Sequence, residues 1–474
     1  MNIFAPKVAF ALCFAVLALV PMPSRAENIT ITIFPLSGTN GNFPRGQVMQ
    51  ARDGNFYGTC RNGGATTNAD QFGSAGYGCV YKMTPDGTIT ALASFYGTNG
   101  MHPWAGLVEG DDGNLYGTTY DGGAYPGTGA FGGPGAGTIF RVTPTGTLTT
   151  LLSFWATNGA NPVAGLTKGP DGVLYGTTRS GGSGFGDPSS SNSFGCGTLF
   201  KITTNGNFTS LYSFTCGLDG YWPFENLTLA SDGNFYGLIS VDSPGLKGDS
   251  RVFRLSPDGV VTAIAPANAL IGSCTGNPLI ETRDGQLCGA SFTGGTNQLG
   301  GVYQVSLSGA ETMLTSFTES GACFGSVVQG TDGSIYGVRG NATVVRIRLD
   351  GSYETLLSLS SKYFISGLIQ GRDGNLYGTG GGYDAATQAG FVFRVSVASV
   401  AAPKLAPPSK SGNSVGLSWS AIPGRTYQLQ VATSLVGGVW TNVPGTVVAS
   451  GSVTGATDPA AADGSRFYRV VMLP

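Results

Sequence analysis

Apolar and polar residues alternate in short runs along most of the chain, and Gly-rich turns separate the runs, the pattern of half-buried strands rather than helices. Gly137 to Thr143 is one run and Thr147 to Phe154 the next, with Pro144-Thr145-Gly146 between them. Ahead of these, Ala105 to Glu109 and Leu115 to Thr119 form two more, joined by Asp112-Gly113. Together they predict one antiparallel unit of four strands. Asp-Gly and Asn-Gly suit the positive φ angles of two-residue hairpins, so tight turns of that kind are expected.

The unit recurs. Asp53-Gly54 is followed by Tyr57-Gly58, Asp112-Gly113 by Tyr116-Gly117, and Asp171-Gly172 by Tyr175-Gly176. Asp232-Gly233 precedes Tyr236, Asp284-Gly285 precedes Cys288, Asp332-Gly333 precedes Tyr336, and Asp373-Gly374 precedes Tyr377, which makes seven copies. Four antiparallel strands per repeat of about 40 to 60 residues are the signature of a propeller blade. The seventh copy stops after a third strand, Phe391 to Val395, while Ile29 to Phe34 echoes a fourth, Thr88 through Phe95. Placing the N-terminal strand in the last blade would close the ring and remove two exposed sheet edges.

The run from Asp112 to Gly146, reading Asp-Gly-x-Leu-Tyr-Gly-Thr-Thr, then Gly-Gly, then Gly-Thr-Ile-Phe-Arg-Val-Thr-Pro-x-Gly, resembles the GloVer-type tandem repeat of exported bacterial proteins, also grouped as choice-of-anchor repeat proteins. The resemblance covers residues 29 to 397 and is specific in the first three copies. Later copies depart from it, with Cys288 in place of Tyr and a shortened copy at residues 332 to 364. It implies a propeller at the cell exterior and no particular chemistry. Residues 401 to 410 are rich in Pro and Ala, and short strands with Trp419 and Tyr427 follow, similar to a fibronectin type III module. The expected organisation is a signal peptide at 1–26, a seven-bladed β-propeller at 27–398, a linker at 399–410 and a small β-sandwich at 411–474.

Composition adds compartment and partners. The 78 Gly lack a collagen period and sit among many β-branched and aromatic residues, as turns in an all-β protein do. Lys7, the apolar run Val8 to Val20 and Ser24-Arg25-Ala26 read as a secretory signal cleaved after Ala26, and the run is too short to span a bilayer. Removing Lys7 and Arg25 leaves 23 basic side chains against 27 acidic ones, which excludes a nucleic-acid footprint. The expectation is a secreted or periplasmic monomer with no integral membrane span. Seven cysteines remain, matching no zinc spacing; Cys60 with Cys79 and Cys196 with Cys216 are expected as disulfides, and Cys274 with Cys323 as a third pair.

Function is expected on the face carrying the long connections at 61–77, 120–136 and 179–196. Trp104, Trp155 and Trp222 belong to that face, as sugar platforms or as fillers between blades. Inner strands converge on an axis and favour small residues. Gln47, Glu225, Asn226 and Asn277 break that rule at the channel mouth and, with Arg45, are the polar candidates for a ligand, or for ordered water alone. His102 is the only histidine and no nucleophile elbow accompanies it, so no catalytic residue, metal site or cofactor is assigned. The repeated Asp is expected to serve turn geometry rather than calcium. The leading reading is an exported binding or scaffold protein for a glycan or surface protein. A carbohydrate-active hydrolase or lyase using Glu225 with Asp187 or Asp219 is the second, and a purely structural spacer the third.

Overall fold

The computed structural model describes residues 29–36, 38–66, 76–125, 134–186, 194–243, 246–264, 272–273, 278–318, 326–340, 342–348, 350–360, 362–382, 390–397, 405–412, 414–421, 426–434, 439–459 and 466–472. Strands and tight turns make up these residues, with no α-helix among them and hence no helix long and apolar enough to cross a membrane. The chain forms two compact units, Thr30–Ser396 and Val397–Pro474.

In the larger unit each repeat folds into one antiparallel four-stranded sheet. The second repeat shows the pattern with Val108–Glu109, Leu115–Thr119, Thr138–Val142 and Leu148–Ser153. In the fourth repeat the middle strands, Phe235–Ser243 and Leu246–Leu255, lengthen to nine and ten residues. The last sheet holds Tyr363–Gln370, Leu376–Gly382 and Gly390–Val397, with Ile29–Leu36 beside Gly390–Val397. Arg394 donates from Nη2 to Thr32 Oγ1 there, at 3.3 Å.

The Asp-Gly turn differs from the two-residue hairpin expected. Gly110 N–H donates to Asn114 O at 2.8 Å and Gly113 N–H to Gly110 O at 3.1 Å, so the loop has three residues and only Gly113 takes a positive φ, +76°. This is a type I turn followed by a glycine bulge. Asp112 stays out of the left-handed region because its carboxylate accepts the N–H of Asn114 at 3.1 Å, two residues on. The same carboxylate accepts the Tyr116 hydroxyl at 2.7 Å, which ties the turn to the second strand. Gly117 follows Tyr116 for a steric reason: a Cβ there would lie 2.6 Å from the Phe140 ring on the neighbouring strand.

The inner strands are shorter than the alternation predicts; in the second repeat only Val108–Glu109 pairs in the ladder. Carbonyls just before it are claimed by the adjacent repeat instead. Thr59 Oγ1 donates to Ala105 O at 2.7 Å, Thr118 to Ala164 O at 2.9 Å, Thr177 to Pro223 O at 3.5 Å and Thr379 to Gly46 O at 2.9 Å. In the fourth to sixth repeats, buried Leu238, Ala290 and Val338 replace this threonine.

A second link runs along the turn side. In five repeats the side chain ending the inner strand accepts a backbone N–H of the preceding repeat: Glu109 from Arg52, Glu281 from Ser231, Gln329 from Arg283, Gln370 from Thr331 and Gln50 from Arg372, all within 2.8–2.9 Å. Lys168 donates to Asp111 where a lysine stands in that place. In the fourth repeat Leu229 holds the acceptor's place in sequence, and the matching donor position of the third repeat is Pro170, which has no N–H to give. Apolar cores fill the same junctions. Tyr57, Val80, Phe95, Leu115 and Phe140 cluster between the first two sheets, and Leu36, Phe56, Tyr81, Tyr377 and Val392 between the first and the last.

In the smaller unit two antiparallel sheets share a core of Trp419, Tyr427, Leu429, Tyr468 and Val470. Trp419 and Tyr427 meet edge to face, with centroids 6.1 Å apart. Ser409–Ser411 pairs with Ser414–Ser420, so Ser409 and Lys410, expected in the linker, take part in a sheet.

Candidate functional site

The inner segments of the repeats converge on a cavity of about 500 Å³. Of the residues expected at a site, Arg45, Gln47, Trp104, Glu225 and Asn226 line it together. Asn277 lies outside the described residues, as do Asp187, Cys274 and Cys323. Trp222 and Trp155 do not line the cavity: Trp222 packs on Tyr221 and Phe224, and Trp155, 47% exposed, meets Tyr125 edge to face at 5.0 Å.

The polar side chains divide by partner. Asn226 Oδ1 accepts the N–H of Gly165 in the third repeat at 2.6 Å, and the Gln47 amide donates to Leu368 O in the last. Both therefore tie neighbouring repeats together at the cavity wall. Glu225 is buried, 6% exposed, and is the one carboxylate among the described residues lining the cavity.

Sequence reasoning missed Tyr120, Arg179, Phe224 and Phe364, which complete the wall. Tyr120 and Arg179 hold one repeat position, directly after the second strand, and Arg61 holds it in the first repeat. Superposing the repeats would have revealed that position. The Arg45 guanidinium lies over Phe43, Phe364 and Trp104, at 4.7, 4.9 and 5.4 Å from the ring centroids. Arg61 is also 5.4 Å from Trp104. Arg179 lies over Trp222 and Phe224 at 5.0 and 5.2 Å and donates to the Tyr120 hydroxyl at 3.3 Å. Such stacking fixes long side chains and keeps their charge near apolar walls. Burial, opposed by Arg179, raises the Tyr120 pKa, so this hydroxyl stays protonated at neutral pH.

His102 is buried, with Nδ1 3.0 Å from Asp121 Oδ2. Asp121 Oδ1 also accepts from Asn161 at 3.4 Å, so the trio joins the crossovers of consecutive repeats. Asp219 is occupied in its own loop, accepting from Thr215 and Gly217 N–H groups and from the Tyr212 hydroxyl. Cys196 and Cys216 form a disulfide with Cα atoms 5.4 Å apart. Cys60 and Cys79 stand opposite each other in register, yet both are buried thiols and not the bridge expected. Burial pushes the Cys60 thiol well up, which disfavours the thiolate that disulfide formation needs. Among the described residues no group of three His, Cys, Asp or Glu side chains could hold a metal ion.

The model of the Gloeobacter/Verrucomicrobia repeat matches residues 22–243 and 185–343. No curated protein matches the chain. Among solved structures, a streptogramin B lyase is 15% identical, with 79% of this chain and 100% of that one covered at a TM-score of 0.52. Virginiamycin B lyase from Staphylococcus aureus is 14% identical, with 78% and 99% covered at a TM-score of 0.51. These neighbours are β-propellers, and at such identity the likeness concerns the fold alone.

Proposed function

The chain belongs to the Gloeobacter/Verrucomicrobia repeat family, and we propose that it is an exported, non-catalytic binding protein: a closed seven-bladed β-propeller that takes a glycan at the mouth of its central channel. Seven four-stranded sheets among the described residues of the larger unit support the blade count. Closure is supported by Ile29–Leu36 in the last sheet and by two bonds from the last repeat to the first, Thr379 to Gly46 and Arg372 to Gln50. Export is supported by the Cys196–Cys216 disulfide. The smaller unit, with its Trp419–Tyr427 core, fits a fibronectin type III-like spacer.

One observation carries the binding reading: Arg45, Gln47, Trp104, Glu225 and Asn226, drawn from three repeats, meet in one cavity of about 500 Å³. That size suits a small ring or the end of a polymer, whereas a protein partner needs a broad, flatter surface. Carboxylate-pair hydrolysis gains little support, because Glu225 is the one acid among the described lining residues and Asp219 serves its own loop. A glycan array run beside a polysaccharide-degradation screen tests the reading. Binding without turnover is expected; turnover lost in Glu225→Gln would replace it with an enzyme, and silence in both assays would leave a structural spacer.

A further inference from the structure

Guanidinium groups dominate the charge of the cavity. Arg45 and Arg179 line it, Arg61 shares the Trp104 ring with Arg45, and Glu225 is the one opposing charge among the described lining residues. This local excess of positive charge stands in a chain whose net charge is −2, so it is a feature of the cavity rather than of the surface at large.

Polar groups elsewhere on the wall serve the fold. The Gln47 amide and the Asn226 oxygen bind backbone groups of neighbouring repeats. Trp104, the one tryptophan among the described lining residues, has Arg45 and Arg61 within 5.4 Å of its centroid and Tyr120 at 5.2 Å. Aromatic rings hold Arg45 and Arg179 in place, and a planar guanidinium fork matches an oxyanion with two parallel N–H donors.

From this we infer that the cavity selects an anionic polysaccharide, recognised through its carboxylate or sulfate groups; the inference rests on the glycan-binding reading of the same cavity. Calorimetric titration of the full chain with two matched pairs tests it: polygalacturonate against its methyl ester, and dextran sulfate against dextran. Each pair keeps the sugar and removes the charge, and the two pairs distinguish carboxylate from sulfate.

At least one anionic polymer is expected to bind about tenfold or more tightly than its neutral counterpart, with affinity falling as salt rises. Arg45→Gln and Arg179→Gln are each expected to lose about tenfold. Should Arg45→Gln fail to fold, Arg45→Lys carries the same test: affinity drops with the lost fork while salt dependence persists. Equal binding within both pairs overturns the anionic inference and leaves the glycan reading standing. Binding to none of the four polymers also overturns the anionic inference, and silence on the glycan array as well overturns the glycan reading beneath it.

Discussion

The repeated Asp and Tyr are a matched pair whose protonation states hold each other. Burial acts to raise the Asp112 pKa, but hydrogen bonds from Tyr116 and from the Asn114 side chain and N–H outweigh it and hold the carboxyl below its usual range. Burial and the same bond push Tyr116 up to about 12. Tyr57, Tyr236, Tyr336 and Tyr377 are raised for the same two reasons. A tyrosine harder to ionise in the fold than in the unfolded chain adds stability that is complete below about pH 10 and is lost as pH climbs toward its folded value. Asp53, Asp112, Asp232 and Asp373, all held below the usual carboxylate range, add stability that is complete above about pH 4 and is lost as pH falls through their lowered values. An alkaline titration followed at the tyrosinate absorbance band should therefore show these tyrosines ionising only together with loss of strand signal. Smooth ionisation near pH 10 with the fold intact would contradict the pairing. The turn role of Asp was legible in the sequence; its hold on Tyr, four residues on, was not, because that contact depends on a three-residue loop the dipeptide alone does not reveal.

Strands were legible wherever their alternation is answered inside one sheet, as in Thr138–Val142 paired with Leu148–Ser153. Inner strands were overestimated because Thr59 and its counterparts take their carbonyls from the neighbouring repeat, a contact that no periodicity records. The link through the inner-strand side chains is likewise invisible in one repeat and plain in the series, down to Leu229 at the acceptor's place and Pro170 at the donor's. Its energetic weight can be measured. Gln50→Ala removes the acceptor of the Arg372 N–H and is expected to cost about 0.5–1.5 kcal/mol, read as a lowered urea midpoint. Leu229→Gln should bring no compensating gain, since Pro170 has nothing to donate. An unchanged midpoint in Gln50→Ala would show that the junction between last and first repeats does not depend on this bond.

At the scale of the molecule, the all-β character and the repeats came directly from the sequence, and counting back from each Asp-Gly located Gln47, Glu225 and Asn226 on the cavity wall. Arg179, Phe224 and Phe364 escaped notice because they become neighbours only when segments of the third, fourth and last repeats converge. Trp155 is absent from the cavity wall for the complementary reason: a large ring on the expected face need not reach the axis. One covalent feature bears on how the molecule withstands a cut in its backbone. Cys196 and Cys216 lie on either side of the hairpin whose tip, Asn205 to Asn207, is exposed, and exposed tips are where proteases nick first. A single cut at that tip would sever the backbone without releasing either piece, so the damaged chain should migrate at full length on a denaturing gel until a reductant is added and then separate into two fragments. The bridge thus acts as a suture, keeping a wounded molecule in one piece.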